Sequence, residues 1–235
     1  MNDCHEPTSL RPPLTPRQIR RLRRAYAVKL RFFDRFNRLV CRVWYRLRRI
    51  GPCTIPPTGS VIVTANHTCA ADPLMICAGC DYRKVSFMIA EEFANIPVGG
   101  WFVRLIDCIP VRRERHDTAA TKAAIRRLRD GHVLGIFIQG RIPAPGEDVK
   151  PKDGVALLAL RSGATVIPVH LSGNKYKESI AAGLVARHRT RVRFGPPVDL
   201  SVFAGMRSRR DLAQATTKIF QSIQELAPEA GAPTI

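Results

Sequence analysis

The sequence predicts an α/β fold in which one mixed sheet is covered by helices, preceded by a long basic amphipathic helix. Short apolar segments alternate with helix-like segments after Gly59, a pattern typical of strands joined by helices. A length of 235 residues suits a single sizeable domain. Residues 17–50 repeat apolar side chains at three- and four-residue steps, with arginines filling most of the gaps.

The chain divides into three predicted parts. Residues 1–16 contain four prolines and little apolar material, so we predict that they are disordered. Residues 17–50 form the predicted amphipathic helix, and residues 51–235 form the folded domain. Three interpretations of the helix stay open. It lies in the membrane interface, which its composition favours, or it packs on the domain, or it binds nucleic acid.

The domain elements follow in order from their hydrophobic patterns. We predict strands over 61–64, 85–90, 108–111, 132–138, 165–169 and 191–194. We predict helices over 73–80, 99–106, 118–130, 154–161 and 210–226. A loop rich in proline and glycine separates the strand at 132–138 from the helix at 154–161.

The charge of the chain favours polyanionic partners. Lys and Arg number 38 against 19 Asp and Glu, giving a net charge of +19. Because no recognised nucleic-acid motif accompanies this charge, we expect an anionic membrane surface as partner in preference to nucleic acid. The sequence contains no run of about 20 apolar residues and no apolar leader. We therefore expect a peripheral or monotopic protein on the cytoplasmic face of a membrane.

The cysteines indicate a reducing compartment. Seven cysteines are scattered through a chain with ample apolar content, which argues against a disulfide framework. Cys77 and Cys80 form a lone pair at CxxC spacing without two further zinc ligands. We expect no metal site.

A histidine and an aspartate, His67 and Asp72, stand where a predicted strand gives way to a predicted helix. On one continuous helix a five-residue step would place them on different faces, so His67 must precede the helix. Asp72 lies before Pro73, a favoured arrangement for a helix N-cap. Such a pair suits a general base with its orienting carboxylate, although Asp72 as a simple cap remains an alternative.

Four short blocks along the chain, residues 66–73, 107–113, 137–141 and 166–169, share the order and spacing of a known family. Over residues 50–200 the chain resembles the glycerolipid acyltransferases, typified by bacterial lysophosphatidic acid acyltransferases. It departs from their usual pattern at several positions. These are Cys69 for Ser, Asp107 for Gly, Gln139 for Glu, and Arg141 one position early.

The resemblance implies roles for specific residues. His67 would be the general base and Asp72 its orienting partner. The implied substrate-binding residues are Asn66, Arg113, Gln139, Gly140 and Arg141, with Arg113 and Arg141 holding a phosphate. Gln139 leaves two cases open. If catalysis needs the carboxylate that the family has at this position, Gln139 should weaken the activity or change the acceptor. If the carboxylate only forms a hydrogen bond with neighbouring backbone, Gln139 can form that bond as well.

The function that the resemblance implies is acyl transfer from acyl-CoA or acyl carrier protein to a lysophospholipid. The expected acceptor is 1-acyl-sn-glycerol 3-phosphate and the expected product phosphatidic acid, in phospholipid biosynthesis at the bacterial inner membrane. No cofactor is expected beyond the thioester co-substrate. The alternatives are a catalytically weak lipid-binding relative, an acyltransferase for another lyso-lipid, and a nucleic-acid binder.

Overall fold

The computed structural model describes residues 28–94, 100, 103, 106–112, 117–205 and 208–227. Its strands are β1 Arg48–Ile50, β2 Val61–Ala65, β3 Val85–Ala90, β4 Ile109–Val111, β5 Val133–Phe137, β6 Thr165–Ser172 and β7 Arg191–Phe194. Its α-helices are α1 Val28–Val43, α2 Asp72–Gly79, α3 Glu91–Ala94, α4 Thr118–Arg129, α5 Gly154–Ser162, α6 Ile180–Val185 and α7 Arg209–Gln224. A 3₁₀ turn spans Ser201–Phe203.

The strands of the described residues form one mixed sheet in the order β1-β7-β6-β2-β5-β3-β4. Strands β6, β2, β5, β3 and β4 run parallel, while β7 runs antiparallel to β6 and parallel to β1. The carboxyl ends of the five parallel strands therefore meet along one edge of the sheet. This edge is where open α/β sheets bind ligands.

The sheet is covered on both faces, as predicted. Successive residues of β2 point to opposite faces, so Val61 and Val63 join one apolar cluster and Ile62 joins the other. The first cluster includes Met75 and Ile76 of α2, and the second is built with α4, α5 and α7. Burial of β2 on both faces matches its sequence, in which four of the five residues are apolar.

The helix predicted over 17–50 is shorter at its carboxyl end. It ends at Val43, and Arg46 takes a left-handed φ of 46°. Residues Arg48–Ile50 then form β1, paired in register with β7. The folded domain therefore begins before residue 51. Residues 1–27, which include the predicted disordered segment and the first part of the predicted helix, lie outside the described residues.

Helix α1 packs on the domain with a face that contains polar groups. Asn37 is 3% exposed and donates to the Leu74 carbonyl, and Cys41 is buried beside it. Arg38 donates to the carbonyl oxygens of Ala78 and Cys80 at the carboxyl end of α2. These contacts satisfy carbonyls that a helix end leaves without partners.

A different face of α1 carries exposed apolar side chains. The exposed fractions are 80% for Phe32, 55% for Phe36, 60% for Leu39 and 65% for Val43. Helix α1 therefore packs on the domain with one face and exposes apolar side chains on another. Of the three interpretations, packing on the domain is confirmed for one face, and the other face stays open to a further partner. None of the helices in the described part of the chain combines the length and apolar character needed to cross a bilayer.

The remaining elements agree closely with the predicted ones. Strands β3 and β7 have the predicted bounds, and the other predicted strands differ by one to three residues at their ends. The short helices α3 and α6 were not predicted, because neither shows a sustained helical repeat. The helix predicted over 99–106 lies mostly outside the described residues.

Candidate active site

The turn between β2 and α2 carries the central residues of the site. Strand β2 ends at Ala65, and beyond it the side chain of Asn66, instead of the backbone, forms the hydrogen bonds with β6. Its amide nitrogen donates to the Leu171 carbonyl and its oxygen accepts from the Leu171 N–H, each at 2.8 Å. Both polar atoms of the Asn66 side chain are engaged with β6. In this structure Asn66 therefore anchors the turn.

His67 and Asp72 lie within hydrogen-bond distance. His67 Nδ1 is 2.8 Å from Asp72 Oδ2, and the two side chains are 14% and 0% exposed. An ionised carboxylate can only accept, so the proton of this hydrogen bond belongs to Nδ1. The other ring nitrogen, Nε2, is then left with its lone pair, as a general base requires.

The Asp72 carboxylate organises the whole turn. Oδ2 also accepts from the backbone N–H groups of Thr68 and Cys69. Oδ1 accepts from the Thr68 hydroxyl at 2.9 Å, the Cys69 thiol at 3.2 Å and the Asn174 amide at 2.9 Å. So many donors stabilise the carboxylate inside the protein without solvent.

The predicted N-cap role of Asp72 is wrong in detail. Asp72 is the first residue of α2, Ala71 occupies the N-cap position, and no side chain caps the helix there. The carboxylate turns back to the N–H groups of the preceding turn instead. His67 does precede the helix, as the spacing argument predicted.

The thiol of Cys69 takes the place where the resemblance suggests a serine hydroxyl. Burial and the neighbouring Asp72 carboxylate raise the pKa of this thiol well above its ordinary value. It therefore stays protonated and donates its S–H at neutral pH. The substitution keeps a donor toward Asp72.

Asn174 is a site residue that the sequence did not reveal. It lies after β6 and donates to both Asp72 and the Thr68 hydroxyl, while its oxygen accepts from Thr190. Gly173 before it has a φ of 81°, and a Cβ there would lie 2.1 Å from the Arg189 carbonyl oxygen. The only available signal was the polar Gly-Asn pair following a strand next to β2.

The end of β5 supports His67 from a second side. The His67 ring stacks on Phe137 with a centroid distance of 3.9 Å and an interplanar angle of 11°. The backbone N–H of His67 donates to Gln139 Oε1 at 2.7 Å. An amide oxygen can accept this bond in the same geometry as a carboxylate oxygen, so the structure favours a backbone-binding role for position 139, which Gln can fill.

Arg141 is engaged by a carboxylate of its own loop. Both of its terminal nitrogens contact the Glu147 carboxylate, which also accepts from the Ala144 N–H. The guanidinium holds the pKa of Glu147 at about 2. The pair is half-exposed, so Coulomb attraction between the two is screened by solvent. Arg113, the other predicted phosphate ligand, lies outside the described residues.

A large groove of about 1830 Å³ opens beside His67. Its apolar lining comes from α1, α2, β3, β5 and α5. Representative residues are Phe33, Val40, Leu74, Ile89, Ile136, Phe137 and Leu158. Basic side chains also line it, namely Arg112, Lys122, Arg141, Lys152, Arg161 and Arg209. Such a groove fits a molecule with a long apolar part and an anionic part.

Comparison with known proteins gives concordant findings. Residues 46–172 match the family model described as Acyltransferase. The 1-acyl-sn-glycerol-3-phosphate acyltransferase of Bacillus subtilis (strain 168) is 26% identical over 172 residues, covering 73% of this chain and 83% of that protein. The enzyme of the same name from Streptococcus pneumoniae is 28% identical over 141 residues, which cover 60% of this chain and 50% of that protein.

A solved structure shares the fold. The crystal structure of the 1-acyl-sn-glycerophosphate (LPA) acyltransferase PlsC from Thermotoga maritima superposes with a TM-score of 0.64. The two sequences are 22% identical, and the match covers 84% of this chain and 79% of the other.

Proposed function

Because the chain belongs to the Acyltransferase family, whose model matches more than half of it, we propose that it acylates the free hydroxyl of a lysophospholipid. The proposed acceptor is 1-acyl-sn-glycerol 3-phosphate, the proposed product is phosphatidic acid, and the proposed pathway is phospholipid synthesis. The donor would be acyl-CoA or acyl carrier protein. The observation that carries the proposal is the His67–Asp72 pair, which opens onto an apolar groove.

The geometry supports a direct transfer between the two substrates. Nε2 of His67 would take the proton of the acceptor hydroxyl as its oxygen attacks the thioester carbonyl. Asp72, at 2.8 Å from Nδ1, would hold the ring and stabilise the imidazolium that forms. When the tetrahedral intermediate collapses, the carbon–sulfur bond breaks and the thiolate takes the proton back from His67. General base catalysis of this kind contributes roughly 10²–10⁴-fold.

The groove supports the choice of a lipid substrate. An acyl chain is an unbranched apolar segment, and each methylene removed from water contributes about 0.8 kcal/mol. The groove lies beside both His67 and α1, so an acyl chain within it could end at the reacting atoms. The basic residues on its rim suit the anionic parts of the donor and the acceptor.

We also propose that the exposed face of α1 docks the protein on an anionic membrane. Four of its apolar side chains are more than half exposed, and exposed apolar surface of this kind marks an interaction site. Trp44, which follows α1, donates its indole N–H to the carbonyl of Val185 at 3.0 Å, and Val185 at the end of α6 is 67% exposed. The Arg187 guanidinium carbon lies over the Trp44 ring, 4.7 Å from its centroid. Aromatic, apolar and cationic groups together are typical of interfacial binding.

Transfer of a labelled acyl group to 1-acyl-sn-glycerol 3-phosphate, followed by separation of the lipid product, tests the reaction. We expect product with the wild-type protein and a loss of at least about 100-fold in kcat with His67→Ala. Activity that survives His67→Ala would refute the mechanism, and lipid binding without any turnover would favour the non-catalytic alternative.

Vesicle flotation tests the membrane proposal. A variant with Leu39→Glu and Val43→Glu should stay at the bottom of the gradient with anionic vesicles, whereas wild type should float. Val202→Glu is a matched control, because Val202 is 59% exposed but is not part of α1. Equal flotation of all three proteins would contradict the assignment of α1 as the docking surface.

A further inference from the structure

One of the cations that line the groove, that of Lys152, lies beside Gly140. A Cβ built on Gly140 would lie 2.9 Å from Lys152 Cδ and 3.0 Å from both Cε and Nζ. The lysine side chain therefore lies directly across the Gly140 backbone. Its own backbone N–H donates to the Ile138 carbonyl at 2.9 Å, which fixes the position of the residue beside the end of β5.

Lys152 carries a charge that the surrounding protein leaves available. Among the described residues, no carboxylate lies within 4.0 Å of its ammonium, and the ammonium donates no hydrogen bond. The neighbouring Asp153 accepts from the Thr216 hydroxyl. Gln139 places a neutral amide where the resembling family has a carboxylate, so position 139 does not offset the charge either.

Arg141 differs from Lys152 in this respect. The end-on fork of its guanidinium, formed by the two terminal nitrogens, already contacts the Glu147 carboxylate. To bind a substrate anion in that way, Arg141 would first have to leave Glu147. The loop therefore keeps Arg141 paired and leaves Lys152 exposed to the groove.

The location of Lys152 suits the anionic end of an acceptor. Gly140 follows Gln139, whose oxygen is 2.7 Å from the His67 N–H, and both Lys152 and His67 line the groove. The acceptor hydroxyl must reach His67, and in a glycerol phosphate the phosphate is close to that hydroxyl. An ammonium is a compact charge that binds phosphate well.

We propose that Lys152 binds the phosphate of the acceptor and sets the preference of the site for a phosphate-bearing lysolipid, a role that the family resemblance implied for Arg141. The proposal rests on the proposed function, because it names a specificity residue of the same site. It predicts that loss of the Lys152 charge weakens acceptor binding and leaves donor binding unchanged.

Steady-state kinetics of Lys152→Gln, Lys152→Arg, Arg141→Gln and Lys150→Gln test this. Lys150 is an exposed lysine two positions away that does not line the groove, so its variant is the matched control. We expect Lys152→Gln to raise KM for 1-acyl-sn-glycerol 3-phosphate about 10- to 100-fold, the usual effect of losing a charged hydrogen bond. KM for the donor and Tm should not change, and Lys152→Arg should restore most of the affinity.

A neutral acceptor, 1-acylglycerol, provides the second arm of the test. Wild type should prefer the phosphate-bearing acceptor, and Lys152→Gln should remove most of that preference without slowing transfer to the neutral one. Equal effects of Lys152→Gln and Lys150→Gln, or a larger rise in acceptor KM with Arg141→Gln, would overturn the proposal.

Binding without turnover separates failure of this proposal from failure of the proposed function. If wild type transfers no acyl group to 1-acyl-sn-glycerol 3-phosphate, the proposed function fails. Calorimetry with a short-chain, water-soluble form of that lipid then compares wild type with Lys152→Gln directly. Weaker binding by the variant still supports a phosphate site at Lys152, and equal binding refutes it.

Discussion

Replacing Asp72 by Asn should abolish most of the activity while leaving the geometry of the turn nearly intact. Oδ2 of Asp72 faces three donors, the His67 ring and the N–H groups of Thr68 and Cys69, so the Asn carbonyl should take that position. The amide nitrogen then takes the Oδ1 position, where the Thr68 hydroxyl can reverse and accept from it. His67 keeps its tautomer, and the change removes mainly the negative charge.

The magnitude follows from the distance between the two groups. A full charge on His67 at 2.8 Å from a carboxylate oxygen interacts with it by about 6 kcal/mol at an effective dielectric constant of about 20. The carbonyl dipole of Asn restores part of this. A loss of about 4 to 5.5 kcal/mol of transition-state stabilisation lowers kcat about 10³- to 10⁴-fold.

Stability should change far less than activity. In the variant the Asn174 amide faces another donor, which costs about 1–3 kcal/mol of the free energy of unfolding. For a chain of this size that lowers Tm by roughly 2–4 °C per kcal/mol. Assays at 25 °C therefore report on chemistry.

A labelled-lipid assay is preferable to thiol detection, because the chain has seven cysteines of its own. Asp211→Asn is the matched control, since Asp211 forms the capping box of α7 with Ser208 and should affect only Tm. If Asp72→Asn keeps more than about a tenth of wild-type kcat, stabilisation of the His67 imidazolium by Asp72 is refuted.

Further outcomes are expected at three residues. Gln139→Glu should keep kcat within about fivefold of wild type, because the carboxylate still accepts the His67 N–H bond made at 2.7 Å. Gln139→Ala should lower kcat about tenfold, because that bond is lost. A larger loss of kcat with Gln139→Glu than with Gln139→Ala in the same lipid assay would contradict the role of residue 139 as a hydrogen-bond acceptor for the backbone. Cys69→Ser should keep activity and Cys69→Ala reduce it. The folded-state pKa of the Cys69 thiol is raised above its ordinary 9.0, so the contribution of the thiol to stability is complete below pH 9 and declines above it. The Tm of wild type should therefore fall more steeply with alkaline pH than the Tm of Cys69→Ser. Parallel plots of Tm against pH for the two proteins would count against this. Gly173→Ala should lower the free energy of unfolding by about 2 kcal/mol or more. Residue 173 has a φ of 81°, and a Cβ there would lie 2.1 Å from the Arg189 carbonyl oxygen. An unchanged denaturant midpoint would show that the turn relaxes without cost.

Several features of the site could be predicted because they depend on neighbours in sequence. The strand before His67 and the helix after it follow from local hydrophobic patterns, and the five-residue step requires His67 to precede the helix. The chemistry of a histidine beside a carboxylate is also local. The N-cap role of Asp72 was predicted wrongly, because the carboxylate had more donors behind it in the turn than ahead of it in the helix.

Other features depend on partners far away in sequence. Asn174 reaches Asp72 across 102 positions because β6 runs parallel to β2, and strand order is not encoded in any local pattern. The pairing of β1 with β7 likewise ended the basic helix earlier than its repeat suggested. The contact of Lys152 with Gly140 depends on how the intervening loop folds back on the end of β5.

The sequence by itself determined the class of fold, the order of its elements and the pair of residues able to transfer a proton, since periodicity and turn chemistry act over a few residues. Tertiary structure alone decided that Arg141 is paired with a carboxylate and that Lys152, among the described residues, is not. In the sequence, Arg141 and Lys152 are both basic residues of the same loop. In the structure Glu147 pairs with Arg141, whereas no carboxylate among the described residues pairs with Lys152. The two cations differ because a side-chain charge is neutralised by the groups close to it in space, and the conformation of the loop determines which groups those are.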